Sequence, residues 1–197
     1  MRYHGHENPN LMATSLSEWM SWESGVDLVA ATAPGLPMPN VIVHVARLVH
    51  TPRGSAPSGM ILLQPDPAGA PLVMGFVSTD AVNVGPYFGP KIFAGTPFAG
   101  APVLPAWFDF AFTADTASAT IRVAGHEIRT KLSGLGAAEL VHRAPAAMTP
   151  FWQQGVERAA TSAELWIDGK AVPLLLPPTG ITGGPPAVSA PCGLYTR

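Results

Sequence analysis

The sequence predicts an α+β fold that is predominantly antiparallel β, a cone- or barrel-like sheet accompanied by two short helices. Three observations support this prediction. The 197-residue chain holds 22 prolines and 20 glycines, and residues of these types interrupt the backbone so often that short strands are favoured over long helices. Several segments are rich in β-branched residues and alternate apolar with polar positions. Turn residues separate those segments at the spacing of hairpins.

Two segments have the pattern of helices. In residues 14–24, Ser15 followed by Glu18 forms a capping-box pattern ahead of apolar residues at helical spacing. In residues 148–162, Thr149 precedes a proline, which is the order expected of an N-cap and the first helical position. We therefore expect a short helix in each of these segments.

The remainder of the chain is expected to form strands. They are predicted, in chain order, over residues 40–50; over 59–65 and 71–80, joined as a hairpin; over 118–132, a hairpin with its turn at 124–125; and over 163–177, a hairpin with Asp168 and Gly169 in a type I′ turn. The final stretch, 177–197, is too rich in proline and glycine for regular structure, so a surface or pocket-lining loop is expected there.

Composition bounds the domain organisation and the partners. One domain is predicted over residues 1–197, with 1–13 as a flexible N-terminal tail. Only 12% of the residues are charged, against about 25% in typical domains, so apolar surface is expected to be covered by another subunit or to enclose a ligand pocket. The predicted partners are a small-molecule substrate and further copies of the chain in a homo-oligomer. A net charge of −2 predicts no nucleic-acid partner. One cysteine, no secretory-type apolar stretch and no apolar run of membrane length predict a cytoplasmic protein without a membrane partner.

Several classes of active site lack their sequence signatures. Cysteine pairs and His-x-His pairs with a carboxylate partner are missing from the folded body, so no metal site is predicted. His44 and His50 share a predicted strand but lie roughly 20 Å apart along it, at about 3.3 Å per residue. A G-x-S-x-G elbow and a phosphate-binding loop are also missing, and we predict no nucleotide or other cofactor.

One lysine differs from the other two in the chain. Residues 85–96 read GPYFGPKIFAGT, and they place Lys91 among aromatic and aliphatic neighbours between Gly-Pro pairs. Such a segment is predicted to be a bent loop that can aim Lys91 at a cavity, where desolvation would lower the pKa of its amine. A neutral amine is what Schiff-base chemistry with a carbonyl compound requires. The alternative is an ordinary solvated surface lysine.

The segment DAVNVGPYFGPKI, residues 80–92, resembles the lysine-bearing segment of the acetoacetate decarboxylase-like superfamily. In that family an Asp and a Gly precede a Gly-x-Pro-Lys turn that follows a strand. The resemblance implies a β-rich cone-like fold, a Schiff base on Lys91 and oligomeric assembly. The chain departs from the family pattern, because Ile92 replaces a second lysine and Gln64 stands where an acidic residue is expected. These departures favour a divergent member, with other Schiff-base chemistry or none.

The remaining candidates for the site are chosen by residue type. Tyr87 could donate a hydrogen bond near Lys91, and His44 could carry protons. Arg47 could bind a substrate carboxylate through two hydrogen bonds. Glu157, placed on the second predicted helix, could act as an acid or base.

Three hypotheses of function follow. The first is a small enzyme, decarboxylase- or lyase-like, that acts on a carbonyl-containing organic acid or a hydrophobic ketone through a Schiff base on Lys91. The second is a non-catalytic β-rich protein that binds an apolar small molecule in a pocket lined by Trp107, Phe108, Phe110 and the C-terminal loop. The third is a cyclase, lyase or isomerase that uses histidine and aspartate for acid–base chemistry without a covalent intermediate.

Overall fold

The computed structural model describes residues 18–92, 99–146 and 149–196, and the side chains of residues 88 and 90–92 lie outside that description. The described chain contains eleven strands and one helix. In chain order they are β1 Trp19–Ala30, β2 Val41–Thr51, β3 Gly54–Leu63, β4 Val73–Ser78, α1 Val84–Ile92, β5 Val103–Phe112, β6 Thr116–Val123, β7 His126–Leu135, β8 Glu139–Arg143, β9 Trp152–Ile167, β10 Lys170–Ala171 and β11 Ala187–Thr196. The prediction of a predominantly β fold is confirmed.

The strands form one mixed sheet. Its order is β10-β9-β11-β1-β2-β3-β4-β5-β6-β7, with β8 on β9 and a further pairing between β9 and β7. Every ladder between these strands is antiparallel except that of β4 and β5, which are parallel and joined through α1. A parallel pair needs such a crossover connection. The cone or barrel shape stays a prediction.

Local turn chemistry predicted the hairpins well. β3 pairs with β4, and β6 pairs with β7. Ala124 and Gly125 both have positive φ, 52° and 83°, as do Asp168 and Gly169, at 52° and 77°. Type I′ turns require this pair of conformations. The second arm of the last hairpin is shorter than predicted, since β10 contains only Lys170 and Ala171.

Both helix predictions are wrong. Residues 19–24 of the first segment belong to β1, which pairs with β2 and β11. Most of 148–162 belongs to β9, which pairs with β8, β11 and β7. In both cases, ladders to strands on both sides outweigh a local capping pattern, because sheet pairing satisfies the backbone groups of the segment.

Two loop predictions also need correction. A bent loop was expected over residues 85–96, but the described part of that segment, 85–92, belongs to the helix α1. Residues 187–196, expected to be irregular, form β11 between β1 and β9. The side chain of Asp80 accepts hydrogen bonds from the backbone amides of Val82 and Asn83 at the start of the helical segment. No helix within the described ranges is long and apolar enough to cross a membrane.

The strands β1 to β4 are buried on both faces. On one face, which we call the core face, aliphatic residues such as Val26, Val43 and Ile61 pack against β5, β6, β7 and β9. On the other, the pocket face, Met20 and Trp22 form a second cluster with residues of β2 and β11. Two glycines of α1 let its backbone approach the sheet, because a Cβ on Gly85 would lie 2.6 Å from Val103 and one on Gly89 would lie 2.9 Å from Phe76.

Candidate functional site

A cavity of about 130 Å³ lies on the pocket face. Its floor comes from β1, β2, β3 and β4, and its rim from three loop segments around residues 38–39, 149–151 and 181–182. Most of the lining is apolar. A cavity with apolar walls and a few polar groups is the usual form of a small-molecule site, so this cavity is the candidate functional site.

Methionine is concentrated around this cavity. Met20, Met38, Met60 and Met74 line it, and they are all the methionines in the described part of the chain. Methionine side chains are unbranched and polarizable, so they adapt their shape to different apolar ligands. The walls therefore suit a flexible hydrocarbon group.

A histidine–aspartate pair forms the first polar part of the site. Antiparallel pairing of β1 with β2 places Asp27 directly opposite His44, and Nδ1 of His44 lies 2.9 Å from Oδ1 of Asp27. Nε2 of His44 is buried and has no hydrogen-bond partner among the described residues. In a neutral imidazole, a carboxylate at this distance favours the ring hydrogen on Nδ1, which leaves the lone pair on Nε2. This is the arrangement of an oriented general base.

Tyr195 forms the second polar part. It lines the cavity, and its ring packs on Trp22 with 4.7 Å between ring centroids. Burial raises the pKa of its hydroxyl far above the usual range, and the negative charges of Asp27 and Glu157 raise that pKa further. The hydroxyl consequently remains protonated, and can donate a hydrogen bond, at any physiological pH.

A buried ion pair forms the third polar part. Both nitrogens at the end of the Arg143 guanidinium bond to the Glu157 carboxylate, Nη2 at 2.7 Å from Oε2. Gln153 donates a further hydrogen bond of 3.0 Å to Oε1 of Glu157, and the hydrogen bond to Glu157 is the main cause that raises the pKa of Arg143. A smaller cavity next to the first is lined by Glu157, and the two cavities share Asp27, His44, Gln153, Ile181, Thr182 and Tyr195.

The predicted site residues separate into those at the cavity and those outside it. His44 lines it, and Glu157 lines the adjoining smaller cavity. Glu157 lies on β9 rather than on the predicted helix, and it is buried rather than solvated. Arg47 lies outside both cavities; its side chain is 58% exposed and pairs with Glu23 at 3.5 Å. A half-exposed arginine with an acidic partner has little reason to recruit a substrate carboxylate.

The predicted lysine nucleophile falls partly outside the described residues. The backbone of Lys91 belongs to α1, but its side chain is outside the description. Tyr87, one helical turn earlier, packs against the apolar cluster that contains Met20 and Trp22. The helix that carries Lys91 therefore borders the cavity wall.

The aromatic residues proposed for a non-catalytic pocket lie elsewhere. Phe108 belongs to the core face cluster, and Phe110 packs against that cluster. Trp107 is 60% exposed, under the guanidinium of Arg122. Of that prediction, only the C-terminal loop contributes to the cavity, through Ile181 and Thr182.

Sequence reasoning missed Asp27 and Tyr195. Asp27 lies in a part of β1 for which no element was predicted, and Tyr195 lies in β11, which was predicted to be a loop. A signal for Asp27 was present. If residues 19–30 are taken as a strand, a hairpin centred near Gly35 places Asp27 across from His44, in the register that the structure has. No comparable local signal identifies Tyr195.

Metal ligands are not grouped in the described parts of the chain. No set of three or more histidine, cysteine, aspartate or glutamate side chains is placed there to hold an ion. His50, which shares β2 with His44, bonds instead to Ser55 and Glu23.

No family model and no curated protein matches the chain. Among solved structures, the chain is similar to one described as "Structural Studies of Acetoacetate Decarboxylase", with a TM-score of 0.39 and 8% sequence identity. The similarity covers 98% of this chain and 92% of that chain. At this TM-score it is a distant likeness only. Membership of the superfamily that residues 80–92 resemble stays a prediction.

Proposed function

We propose that this protein binds a largely apolar carbonyl compound in the cavity on the pocket face and moves a proton on it through His44. The observation that carries the proposal is the pair of His44 with Asp27, because one ring nitrogen is held by a carboxylate and the other is buried without a described partner. Of the three hypotheses from the sequence, this supports acid–base chemistry of the lyase or isomerase type.

The proposed step is removal of a proton from the carbon next to the carbonyl group. The lone pair on Nε2 of His44 takes the proton, and the C–H electrons form a carbon–carbon double bond while the carbonyl oxygen gains negative charge. Asp27 stabilises the resulting imidazolium. The protonated hydroxyl of Tyr195 lines the same cavity and would donate a hydrogen bond to the developing oxyanion. Return of the proton to the same or a different carbon completes an exchange or an isomerisation.

Deuterium exchange on a simple ketone tests this step, whatever the natural substrate is. Octan-2-one is incubated with the protein in heavy water, and loss of the proton signals next to the carbonyl is followed by NMR. We expect exchange above the buffer rate with the wild type and a loss of at least about 100-fold with His44→Asn, as general-base catalysis contributes about 10²–10⁴-fold.

His50→Asn is the matched control, because His50 lies on the same strand with its own carboxylate partner but outside the cavity. It should leave the exchange rate unchanged. Equal rates in the wild type and His44→Asn would exclude His44 as the base.

A Schiff base on Lys91 is the second candidate function. It is supported by the position of α1. Tyr87 of this helix packs on the cluster at the cavity wall, and Gly89 lies so near Phe76 in that wall that an added Cβ would be 2.9 Å from it. The lysine amine would attack the carbonyl carbon and water would leave, giving an imine that borohydride reduces to a stable amine. A mass adduct of octan-2-one on Lys91 after borohydride, absent in Lys91→Arg, would establish this chemistry. If the wild type gives no adduct and Lys91→Arg keeps the full rate of deuterium exchange, a Schiff base on Lys91 is ruled out.

A further inference from the structure

The polar end of the site holds more carboxylates than guanidinium groups. Among the described residues, Asp27 and Glu157 are the acidic side chains that line the two cavities, and the one arginine bonded to them is Arg143. Two carboxylates therefore face one guanidinium. Both terminal nitrogens of that guanidinium already bond to Glu157, so Arg143 is committed to its partner.

The raised pKa of the Tyr195 hydroxyl indicates a negative electrostatic potential inside the cavity. After burial, the largest causes of the raised pKa of its hydroxyl are the charges of Asp27 and Glu157, and only Arg143 acts in the opposite direction. A field that opposes the formation of tyrosinate also opposes a ligand that enters the cavity as an anion. An oxyanion formed by proton transfer to His44 differs from such a ligand, because the imidazolium formed with it balances its charge. The apolar walls add to this, because they offer a carboxylate no replacement for its water.

From the field and the walls together we propose that the cavity selects neutral carbonyl compounds with a flexible hydrocarbon chain and rejects carboxylates of the same length. The inference rests on the proposed function in that it names the substrate class of the same site. Of the two substrate classes predicted from the sequence, it favours the hydrophobic ketone over the organic acid. The four methionines accommodate the chain, and the carbonyl end lies at His44 and Tyr195.

Three ligands of equal chain length test the inference. Octan-2-one, octanoate and octylamine are titrated into the protein at about pH 7.5, where the acid is ionised and the amine is protonated. Dissociation constants are measured by calorimetry. We expect octan-2-one to bind at least about tenfold more tightly than octanoate, which corresponds to about 1.4 kcal/mol, and more tightly than octylamine.

Each of the other outcomes overturns the inference. Equal or tighter binding of octanoate means that the field does not select against anions. Tighter binding of octylamine means that the site takes cations. Failure of all three to bind up to their solubility limits means that the cavity does not take such chains.

Charge-changing variants locate the source of the selectivity. Glu157→Gln removes one of the two negative charges, and Asp27→Asn removes the other. Each variant should therefore reduce the ratio of the octanoate dissociation constant to that of octan-2-one by several-fold. Glu127→Gln is the control, because its ion pair with Arg122 is exposed and outside both cavities. Glu127→Gln should leave the ratio of the two dissociation constants unchanged. If all three variants behave as the wild type does, the charges at the site are not the cause.

The outcomes separate this inference from the proposed function. Selective binding of octan-2-one with no His44-dependent exchange would retain the ligand class and remove the acid–base role. Exchange that depends on His44, together with tighter binding of octanoate than of octan-2-one, would retain the acid–base role and remove the inferred ligand class.

Discussion

The two faces of β1–β4 differ in what they pack against, although they are made from alternate residues of the same strands. The core face carries aliphatic residues such as Val26, Val43 and Ile61, all fully buried. The pocket face carries methionines, aromatic residues and the pair of Asp27 with His44. The core face is closely packed and stabilises the fold, while the pocket face is less closely packed and contains a cavity with polar groups. The comparison teaches that alternation within a strand can separate stability from function.

The largest expected effect comes from neighbours in β3 that point to opposite faces. Ile61→Ala should lower the free energy of unfolding by about 2–5 kcal/mol, because it leaves a void in a sealed core. Met60→Ala, at the cavity wall, should cost about 1 kcal/mol or less, since space is already present there. Urea unfolding of the two variants checks the difference. Equal losses would mean that the two faces are packed alike.

The next effect concerns ion pairs inside and outside the site. Glu157→Gln leaves the Arg143 guanidinium, only 19% exposed, without its carboxylate, and should cost about 3 kcal/mol. Glu127→Gln breaks the pair with Arg122, whose side chain is 59% exposed, and should cost less than about 1 kcal/mol. Chemical unfolding measures both. If Glu127→Gln lowers the free energy of unfolding as much as Glu157→Gln does, burial of the ion pair is not the reason for the larger loss.

A third, smaller effect tests how the aromatic wall is held. A Cβ on Gly193 would lie 2.0 Å from Cζ2 of Trp22, so Gly193→Ala should displace that ring, which lines the cavity. The expected cost is about 1–3 kcal/mol, together with weaker binding of octan-2-one in calorimetry. Gly100→Ala is the control, because a Cβ there meets nothing within 4 Å. Unchanged binding in Gly193→Ala would show that Trp22 does not shape the site.

The smallest effect is a dependence of stability on pH. The Tyr195 phenol ionises in the unfolded chain at about pH 10, and in the native state its raised pKa delays ionisation to higher pH. Above about pH 10 the unfolded state therefore binds fewer protons than the native state, and stability falls as the pH rises. Tyr195→Phe should reduce this slope in unfolding experiments between about pH 8 and about pH 11. An identical slope would mean that Tyr195 ionises normally.

The parts of the fold that could be predicted are those that depend on local chemistry. The turns at 124–125 and at Asp168 were identifiable because few residue pairs adopt positive φ in succession. β11 and most of β9 could not be identified because their main partners lie far away in sequence. β1 pairs with the next strand, β2, and was missed because a capping-box pattern at its start suggested a helix. The helix α1 was missed because its Gly-Pro pairs suggested a loop. Pro86 lies in the first turn of that helix, where its missing N–H costs nothing.

The same division applies to the site. His44 was a candidate by residue type alone, and a correct strand assignment for β1 would have supplied Asp27 as its partner. Tyr195 and the contact of Arg143 with Glu157 depend on how β11 and β8 pair with β9. Pairing between distant strands is decided by the packing of the whole sheet, which short sequence patterns do not encode.

The most direct test of the site is nitrogen NMR of the histidine rings during titration with octan-2-one. The ligand should shift the Nε2 resonance of His44, assigned through its loss in His44→Asn, and leave that of His50 unchanged. A ligand that binds without moving the His44 resonance, or that moves the His50 resonance instead, would contradict a carbonyl site at the pair of Asp27 with His44 on the pocket face.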